Sequence, residues 1–188
     1  MKKTFLSADA LVTDSFRLAQ QIYESGFCPD LIIGVLRGGA PISIAVHEYF
    51  SYQGQQARHR SIYSSSYCGI DARSETVNVE GVSNVVSEIR AGDKLLIVDD
   101  VFDTGKSIET ILGVLTTELQ KTNLGDEKPD VRVATVWFKP DNNLTKIKPN
   151  YFLNTTKEWL VFPHELTGLT DAEIAEYKPA ISDTLHIK

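Results

Sequence analysis

The chain has 188 residues, 42% of them hydrophobic, which is enough for one well-filled core, so we expect a single domain spanning 1–188. The formal net charge of -6 argues against a general affinity for nucleic acid or for anionic membranes. Cys28 and Cys68 have no metal-ligand spacing, and no run approaches the ~20 apolar residues of a membrane span, which favours a cytoplasmic protein.

The first 62 residues predict helices that alternate with strands. Ser7 is placed to cap an amphipathic helix that runs to Gly26, because apolar residues recur there at helical spacing. The apolar run 31–36 predicts a strand that is buried on both faces. Two more elements are predicted before residue 63: a helix over 42–50, with Pro41 at its start, and a polar strand over 58–62.

The segment from Tyr63 to Glu80 is rich in serine, glycine and charge without a sustained period, and it predicts a long mobile loop. Four elements are predicted after it: a helix over 82–89, a strand over 95–98, a helix over 108–119 and a strand over 131–138. This alternation predicts an α/β fold with a mostly parallel central sheet flanked by helices. Ligands of such sheets bind beyond the carboxyl ends of the strands.

The most informative segment follows the second buried strand and has the sequence Asp99-Asp100-Val101-Phe102-Asp103-Thr104-Gly105-Lys106-Ser107. Residues 103–107 lie where a strand ends and a helix begins, so backbone N–H groups and the helix dipole can gather around one phosphate. The glycine lets the backbone come close, and the threonine and serine add hydroxyl donors. The first two aspartates suit ribose hydroxyls or a Mg²⁺ ion that accompanies a sugar pyrophosphate. The segment therefore predicts a sugar-phosphate site.

Two other interpretations of this segment compete. One is a simple capped helix after an ordinary strand, and the other is a nucleoside-triphosphate P-loop. A P-loop requires a glycine five residues before Gly105, but that position is Asp100, whose negative charge would repel the β-phosphate. Acidic residues, a glycine and hydroxyl residues seldom occur at these spacings by chance, so helix capping alone does not explain the segment.

Residues 99–107 resemble the phosphoribosyl pyrophosphate (PRPP) motif of type I phosphoribosyltransferases. Over Phe16–Leu166 the chain is similar to their 6-oxopurine branch, which includes bacterial xanthine-guanine and hypoxanthine enzymes. The resemblance implies that Asp99, Asp100 and 103–107 bind PRPP, that Asp103 is the catalytic acid or base, and that Asp100 orders the Mg²⁺.

Four further segments carry the resemblance. Leu36-Arg37-Gly38-Gly39 resembles the pyrophosphate loop, which often contains a non-proline cis peptide, and Ser66 and Tyr67 resemble the start of the flexible lid. Lys148 resembles the lysine that contacts the purine 6-oxo group. The segment 159–165 resembles a base-binding hood, expected to span about 148–188, and three of its residues are assigned to the base: Trp159 for stacking, Leu160 for backbone contacts and Glu165 for the 2-position. Taken singly, each segment is also compatible with an ordinary turn, loop, surface lysine or core strand.

The resemblance implies transfer of the phosphoribosyl group from PRPP to guanine or hypoxanthine, and less readily to xanthine, in purine salvage. It also implies a homodimer or homotetramer. Two alternatives stay open: a non-catalytic regulator that senses PRPP or purines, and a phosphoribosyltransferase for another base. His47, His59 and His164 have no paired base or metal spacing and are expected to be structural, and the residues after Leu166 indicate only a capped acidic helix at 170–176.

Overall fold

The computed structural model describes residues 2–68, 75–122, 124 and 127–186, with the side chains of 66–68, 75 and 76 left out. Within these residues the strands are β1 (Lys3–Phe5), β2 (Leu31–Leu36), β3 (Arg58–Cys68), β4 (Glu75–Glu80), β5 (Lys94–Phe102), β6 (Asp130–Phe138), β7 (Tyr151–Thr155) and β8 (Trp159–Val161). The helices are α1 (Ala8–Glu24), α2 (Gly39–Tyr52), α3 (Val82–Val86), α4 (Lys106–Gln120), α5 (Asp171–Tyr177) and α6 (Pro179–Leu185). No helix in the described part of the chain is long and apolar enough to cross a membrane.

Contacts along the chain divide it into two compact units. The larger unit comprises residues 11–157, and the smaller unit comprises residues 1–10 together with residues 158–188. The smaller unit therefore begins ten residues later than the expected hood of 148–188 and also takes in the N-terminal strand.

The larger unit is built on a six-stranded sheet with the order β4-β3-β2-β5-β6-β7. All neighbouring strands are parallel except β3 and β4, so the predicted α/β class with a mostly parallel sheet is confirmed. The strands β2 and β5 are almost fully buried along their apolar runs, as expected for strands covered on both faces. They lie side by side, and the chain continues from them to opposite edges of the sheet, which creates a crevice at their carboxyl ends.

The segment 63–80 differs from the prediction. It was expected to be a mobile loop, but its described residues extend β3 to Cys68 and form β4, which pairs antiparallel with β3 from Tyr63↔Glu80 to Cys68↔Glu75. Val77 and Val79 are partly buried and alternate with exposed polar residues, which is the period of a strand on a sheet edge. Two valines among serines and charges give too weak an apolar pattern to predict a strand.

The starts of two helices agree with the capping residues seen in the sequence. The Ser7 hydroxyl accepts a hydrogen bond from the Ala10 backbone N–H at 3.1 Å, which confirms the predicted start of α1. In the smaller unit, Thr170 and Glu173 form a capping box at the start of α5, as the sequence indicated. Helix α2 begins at Gly39, two residues earlier than Pro41 predicted.

The smaller unit contains a two-stranded parallel sheet, in which β1 pairs with β8 in the register Lys3↔Trp159 to Phe5↔Val161. Helices α5 and α6 follow in the same unit. The Phe5 and Tyr177 rings stack at a centroid distance of 4.0 Å and so tie α5 to the sheet.

Candidate active site

The sugar-phosphate segment lies at the carboxyl end of β5. The strand extends to Phe102 and therefore includes the first two aspartates, which were expected to follow it. Gly105 has φ +80° and caps α4, and a Cβ at this position would stand 2.8 Å from the Asn143 Oδ1 atom. The first N–H groups of a helix have no carbonyl partner within the helix, so those of α4 are directed at this turn. The predicted strand, turn and helix are confirmed, and their order suits a phosphate monoester.

The glycine loop after β2 packs against the same end of β5. The Leu36–Arg37 peptide bond is cis, as the resemblance implied for a pyrophosphate loop. A Cβ on Gly38 would collide with the Asp100 carboxylate, and a Cβ on Gly39 would collide with the Val98 carbonyl. At Gly39 the clash is with backbone, so glycine is required there, and at Gly38 any larger residue would displace the Asp100 carboxylate.

The two adjacent aspartates are electrostatically coupled. The Asp99 carboxylate accepts a hydrogen bond from the Asp100 N–H at 3.0 Å, and the Asp100 carboxylate accepts one from the Val101 N–H at 2.7 Å. Burial, and after it the charge of Asp100, raise the pKa of Asp99 well above its usual value. A cation or a hydroxyl donor at this position would relieve the repulsion.

The residues fit the Mg²⁺ ion that the resemblance implies. Mg²⁺ is commonly held by one or two carboxylates, with water and substrate phosphates completing its shell. Asp100 supplies such a carboxylate, and the Gly38 backbone approaches it closely. Among the described residues there is no cluster of three or more His, Cys, Asp or Glu side chains that could hold a metal ion.

Asp103 is held by two side chains that the sequence analysis did not single out. The Lys139 Nζ donates to Asp103 Oδ2 at 2.7 Å, and the Asn142 Nδ2 donates to Asp103 Oδ1 at 2.8 Å. The Lys139 side chain is only 8% exposed, whereas that of Asp103 is 39% exposed. In this ion pair the lysine is therefore buried, whereas the carboxylate is accessible to solvent.

The connection between β6 and β7 places these two residues. The Lys139 backbone N–H donates to the Phe102 carbonyl at 2.9 Å, and the Leu144 N–H donates to the Thr104 carbonyl, also at 2.9 Å. The position of Lys139 directly after β6 was a usable signal, because the carboxyl ends of neighbouring parallel strands meet at one edge of the sheet.

Two predicted site features of the larger unit are not tested by this structure. Lys148 is exposed and makes no hydrogen bond to the described part of the chain, so its assignment to the purine 6-oxo group stays a prediction. Ser66 and Tyr67 lie in β3 opposite Val77 and Thr76, but their side chains are outside the described set. The lid assignment therefore also stays a prediction.

The smaller unit contains an open pocket of about 480 Å³. Two of the predicted base-binding residues, Trp159 and Glu165, line it together with Val161, and the Trp159 side chain is 54% exposed. Leu160 is buried, and since side chains alternate along a strand, it points to the other face of β8. Lys3 also lines the pocket, and sequence reasoning missed it because its partner strand is more than 150 residues away.

The histidines have structural contacts. The His47 and His59 rings stack at a centroid distance of 5.4 Å. His47 Nε2 lies 3.1 Å from the Ala57 carbonyl, and His59 Nε2 lies 3.1 Å from the Ser43 hydroxyl. Burial and the neighbouring His47 lower the pKa of His59. These contacts agree with the structural role that was expected for both residues.

Comparison with known proteins identifies the family. The model of the phosphoribosyl transferase domain matches residues 2–167. A purine phosphoribosyltransferase from Pyrococcus horikoshii Ot3 is 30% identical, with a TM-score of 0.66, and the match covers 90% of this chain and 99% of that one. Among curated protein sequences there is no significant match.

Two further solved structures share the fold. A hypothetical protein from Neisseria gonorrhoeae with bound ppGpp is 20% identical, with a TM-score of 0.74, and 97% of each chain is covered. The Helicobacter pylori xanthine-guanine-hypoxanthine phosphoribosyltransferase is 23% identical, with a TM-score of 0.65, covering 86% of this chain and 92% of that one. The family match over residues 2–167 agrees with the phosphate turn and glycine loop described above, and the chain belongs to the phosphoribosyltransferase family.

Proposed function

We propose that the protein transfers the phosphoribosyl group from PRPP to a 6-oxopurine, giving a nucleoside 5′-monophosphate and pyrophosphate in purine salvage. The observation that carries this proposal is the close approach of Gly38 to Asp100 beside the phosphate turn. It brings together a loop suited to a pyrophosphate, a carboxylate suited to ribose or metal, and a helix start suited to a 5-phosphate. PRPP carries all three groups on one sugar.

The reaction begins with weakening of the bond between C1 of the ribose and the pyrophosphate oxygen. Negative charge builds up on the pyrophosphate as it leaves, and the backbone of 36–39 with the exposed Arg37 stabilises that charge. A Mg²⁺ ion held by Asp100 would supply further positive charge to the leaving group. A purine ring nitrogen then forms the new bond to C1 of the oxocarbenium-like sugar.

Asp103 takes or shares the purine proton near N7. Each of its carboxylate oxygens accepts one hydrogen bond, from Lys139 or Asn142, and a carboxylate oxygen has a second acceptor position. Asp103 is thus fixed in orientation and can still accept a proton.

Selection of a 6-oxopurine requires a donor to the 6-oxo group. The sequence points to Lys148, whereas the position of Lys139 beside Asp103 makes it a second candidate. N7 and O6 lie on the same edge of a purine, so a lysine next to the group that serves N7 is close to O6. An ammonium donates to a carbonyl and has no acceptor for a 6-amino group, which disfavours adenine.

The pocket beside Trp159 supports a planar base. We assign stacking to Trp159 and the 2-position to Glu165, whose carboxylate accepts from the guanine 2-amino group and disfavours the 2-oxo group of xanthine. Guanine and hypoxanthine are therefore ranked above xanthine. Dependence on Mg²⁺, a cytoplasmic location and assembly into dimers or tetramers belong to the same proposal, supported by the family alone.

The test is an assay of pyrophosphate release from PRPP and Mg²⁺ with guanine, hypoxanthine, xanthine, adenine or orotate as acceptor. We expect release with guanine and hypoxanthine, accompanied by the matching nucleoside monophosphate, and a control without Mg²⁺ should be inactive. Binding of PRPP without release for any base would overturn the proposal in favour of a regulator. Release with adenine or orotate alone would show that the acceptor is misassigned.

A further inference from the structure

The two C-terminal helices lie outside the family match, which ends at residue 167. Lys178 stands between them, as the residue that ends α5 and precedes Pro179 of α6. Its backbone N–H donates to the Ile174 carbonyl at 2.8 Å, and its carbonyl accepts from the Ile181 and Ser182 N–H groups, both at 2.9 Å. Both helices therefore fix the backbone of Lys178.

The Lys178 side chain reaches the turn that carries Glu165. Its Nζ donates to the Phe162 carbonyl at 2.8 Å and to the Pro163 carbonyl at 2.9 Å. Phe162 is almost fully buried, at 2% exposure, so its carbonyl has little access to solvent. One ammonium thus satisfies two successive carbonyl groups of the turn, which holds their relative orientation.

The turn itself is closed by two hydrogen bonds between the same pair of residues. The Phe162 N–H donates to the Glu165 carboxylate at 2.9 Å, and the Glu165 N–H donates to the Phe162 carbonyl at 3.0 Å. The Phe162 carbonyl is therefore shared by Lys178 and Glu165. A displacement of this carbonyl would move the carboxylate that lines the pocket beside Trp159.

Charge strengthens the link between Lys178 and Glu165. Burial lowers the pKa of Lys178, and the nearby negative charge of Glu165 partly offsets this effect. An ammonium that is partly removed from water is stabilised by carbonyl oxygens and a carboxylate in its surroundings. The Lys178 ammonium and the Glu165 carboxylate thus attract each other across the turn, while the direct contacts of the ammonium are with the two carbonyl groups.

We propose that Lys178 is a positioning residue for base selection. It holds the turn 162–165 so that the Glu165 carboxylate is presented to the pocket beside Trp159, and it thereby sets the preference for a purine with a 2-amino group over one without it. The inference rests on the proposed function, because it assigns Glu165 to the purine 2-position. The proposal assigns a function to a residue that lies beyond the family match, which ends at residue 167.

The experiment compares kcat/KM for guanine and hypoxanthine in the full chain and in Lys178→Met. We expect the guanine-over-hypoxanthine ratio to fall about fivefold, because the 2-amino group loses its oriented acceptor, while KM for PRPP stays unchanged. Lys178→Gln keeps side-chain N–H donors but loses the charge, so the guanine-over-hypoxanthine ratio should fall less. Lys121→Met, which alters an exposed lysine paired with Glu118 in the larger unit, is the control and should match the unaltered chain.

A double-mutant cycle with Glu165→Ala separates positioning from general destabilisation. In the Glu165→Ala background, Lys178→Met should leave the guanine-over-hypoxanthine ratio unchanged, because the hydrogen-bond acceptor that it positions is gone. The inference is overturned if the ratio is unaltered in both Lys178 variants, or if it falls equally in both backgrounds. If circular dichroism shows that Lys178→Met does not fold, Lys178→Gln is used to measure the effect of Lys178 on the ratio. Failure of the proposed function is distinguished by the unaltered chain, which would then release no pyrophosphate with either base.

Discussion

The phosphate turn of the larger unit and the pocket of the smaller unit are assembled in different ways. The turn uses consecutive residues, 103–107, between a buried strand and a helix. The pocket uses Lys3 from the start of the chain and residues from 159–169 near its end. A phosphate is recognised by backbone N–H groups, which a short segment can supply, whereas a flat base is recognised by side chains on several elements.

This difference separates two kinds of effect. Changes in the larger unit should act on the chemistry of the sugar, on the N7 and 6-oxo edge of the purine and on the stability of the sheet, while changes in the smaller unit should act on base stacking and on the purine 2-position. Single substitutions in each unit test this separation.

Replacement of Asp103 by Asn should have the largest effect. The amide cannot take the purine proton, so kcat should fall roughly 10²-fold or more, while KM for PRPP changes little. Steady-state kinetics with PRPP and guanine measure both constants. An unchanged kcat would show that Asp103 is not the proton carrier, and an equal loss in PRPP affinity would show that it serves binding instead.

Trp159→Ala should raise KM for the base about tenfold, because stacking on an aromatic ring is worth about 1–3 kcal/mol per base. KM for PRPP should stay constant, since the phosphate turn is part of the larger unit. Trp159→Phe keeps a ring face and serves as the matched control, with a smaller rise expected. A rise in KM for PRPP as large as that for the base would contradict the assignment of phosphate binding to the larger unit and of base stacking to the smaller unit.

Asp99→Asn should have the smallest effect. We expect it in the thermal stability of the protein measured in the absence of PRPP and Mg²⁺. Because the folded pKa of Asp99 is raised, the protonated carboxyl stabilises the fold at low pH, and this contribution is lost as pH rises through the folded pKa. The amide has no such charge, so the variant should unfold a few degrees higher at pH 8, with the difference shrinking towards pH 4. Thermal unfolding followed by circular dichroism at both pH values measures this. A lower midpoint for the variant at pH 8 would indicate that the Asp99 charge stabilises the fold.

Elements could be predicted from the sequence where burial or backbone geometry requires a pattern among neighbouring residues. The strands β2, β5 and β6 were predicted because long apolar runs are required by a sheet covered on both faces, and the phosphate turn because its residues are contiguous. The glycine loop was predicted from its place after β2, and its contact with Asp100 gives the physical reason for Gly38.

The rest depends on tertiary neighbours. Lys139 and Asn142 reach Asp103 from 36 and 39 residues away, a proximity set by the pairing of β5 with β6 and by the connection that follows. The edge strand β4 buries too few apolar residues to be predicted from its pattern. Lys178 lies after Leu166, where the expected hood had no assigned contacts and the sequence indicated only a capped acidic helix.

The pairing of β1 with β8 sets an order of events during synthesis. Lys3 pairs with Trp159, so the first strand has no partner in its sheet until most of the chain has been made. The larger unit contains all of its own strands within 11–157 and can pack earlier, whereas the smaller unit must close a long loop at an entropic cost. We therefore expect the phosphate turn to form before the base pocket when the chain folds.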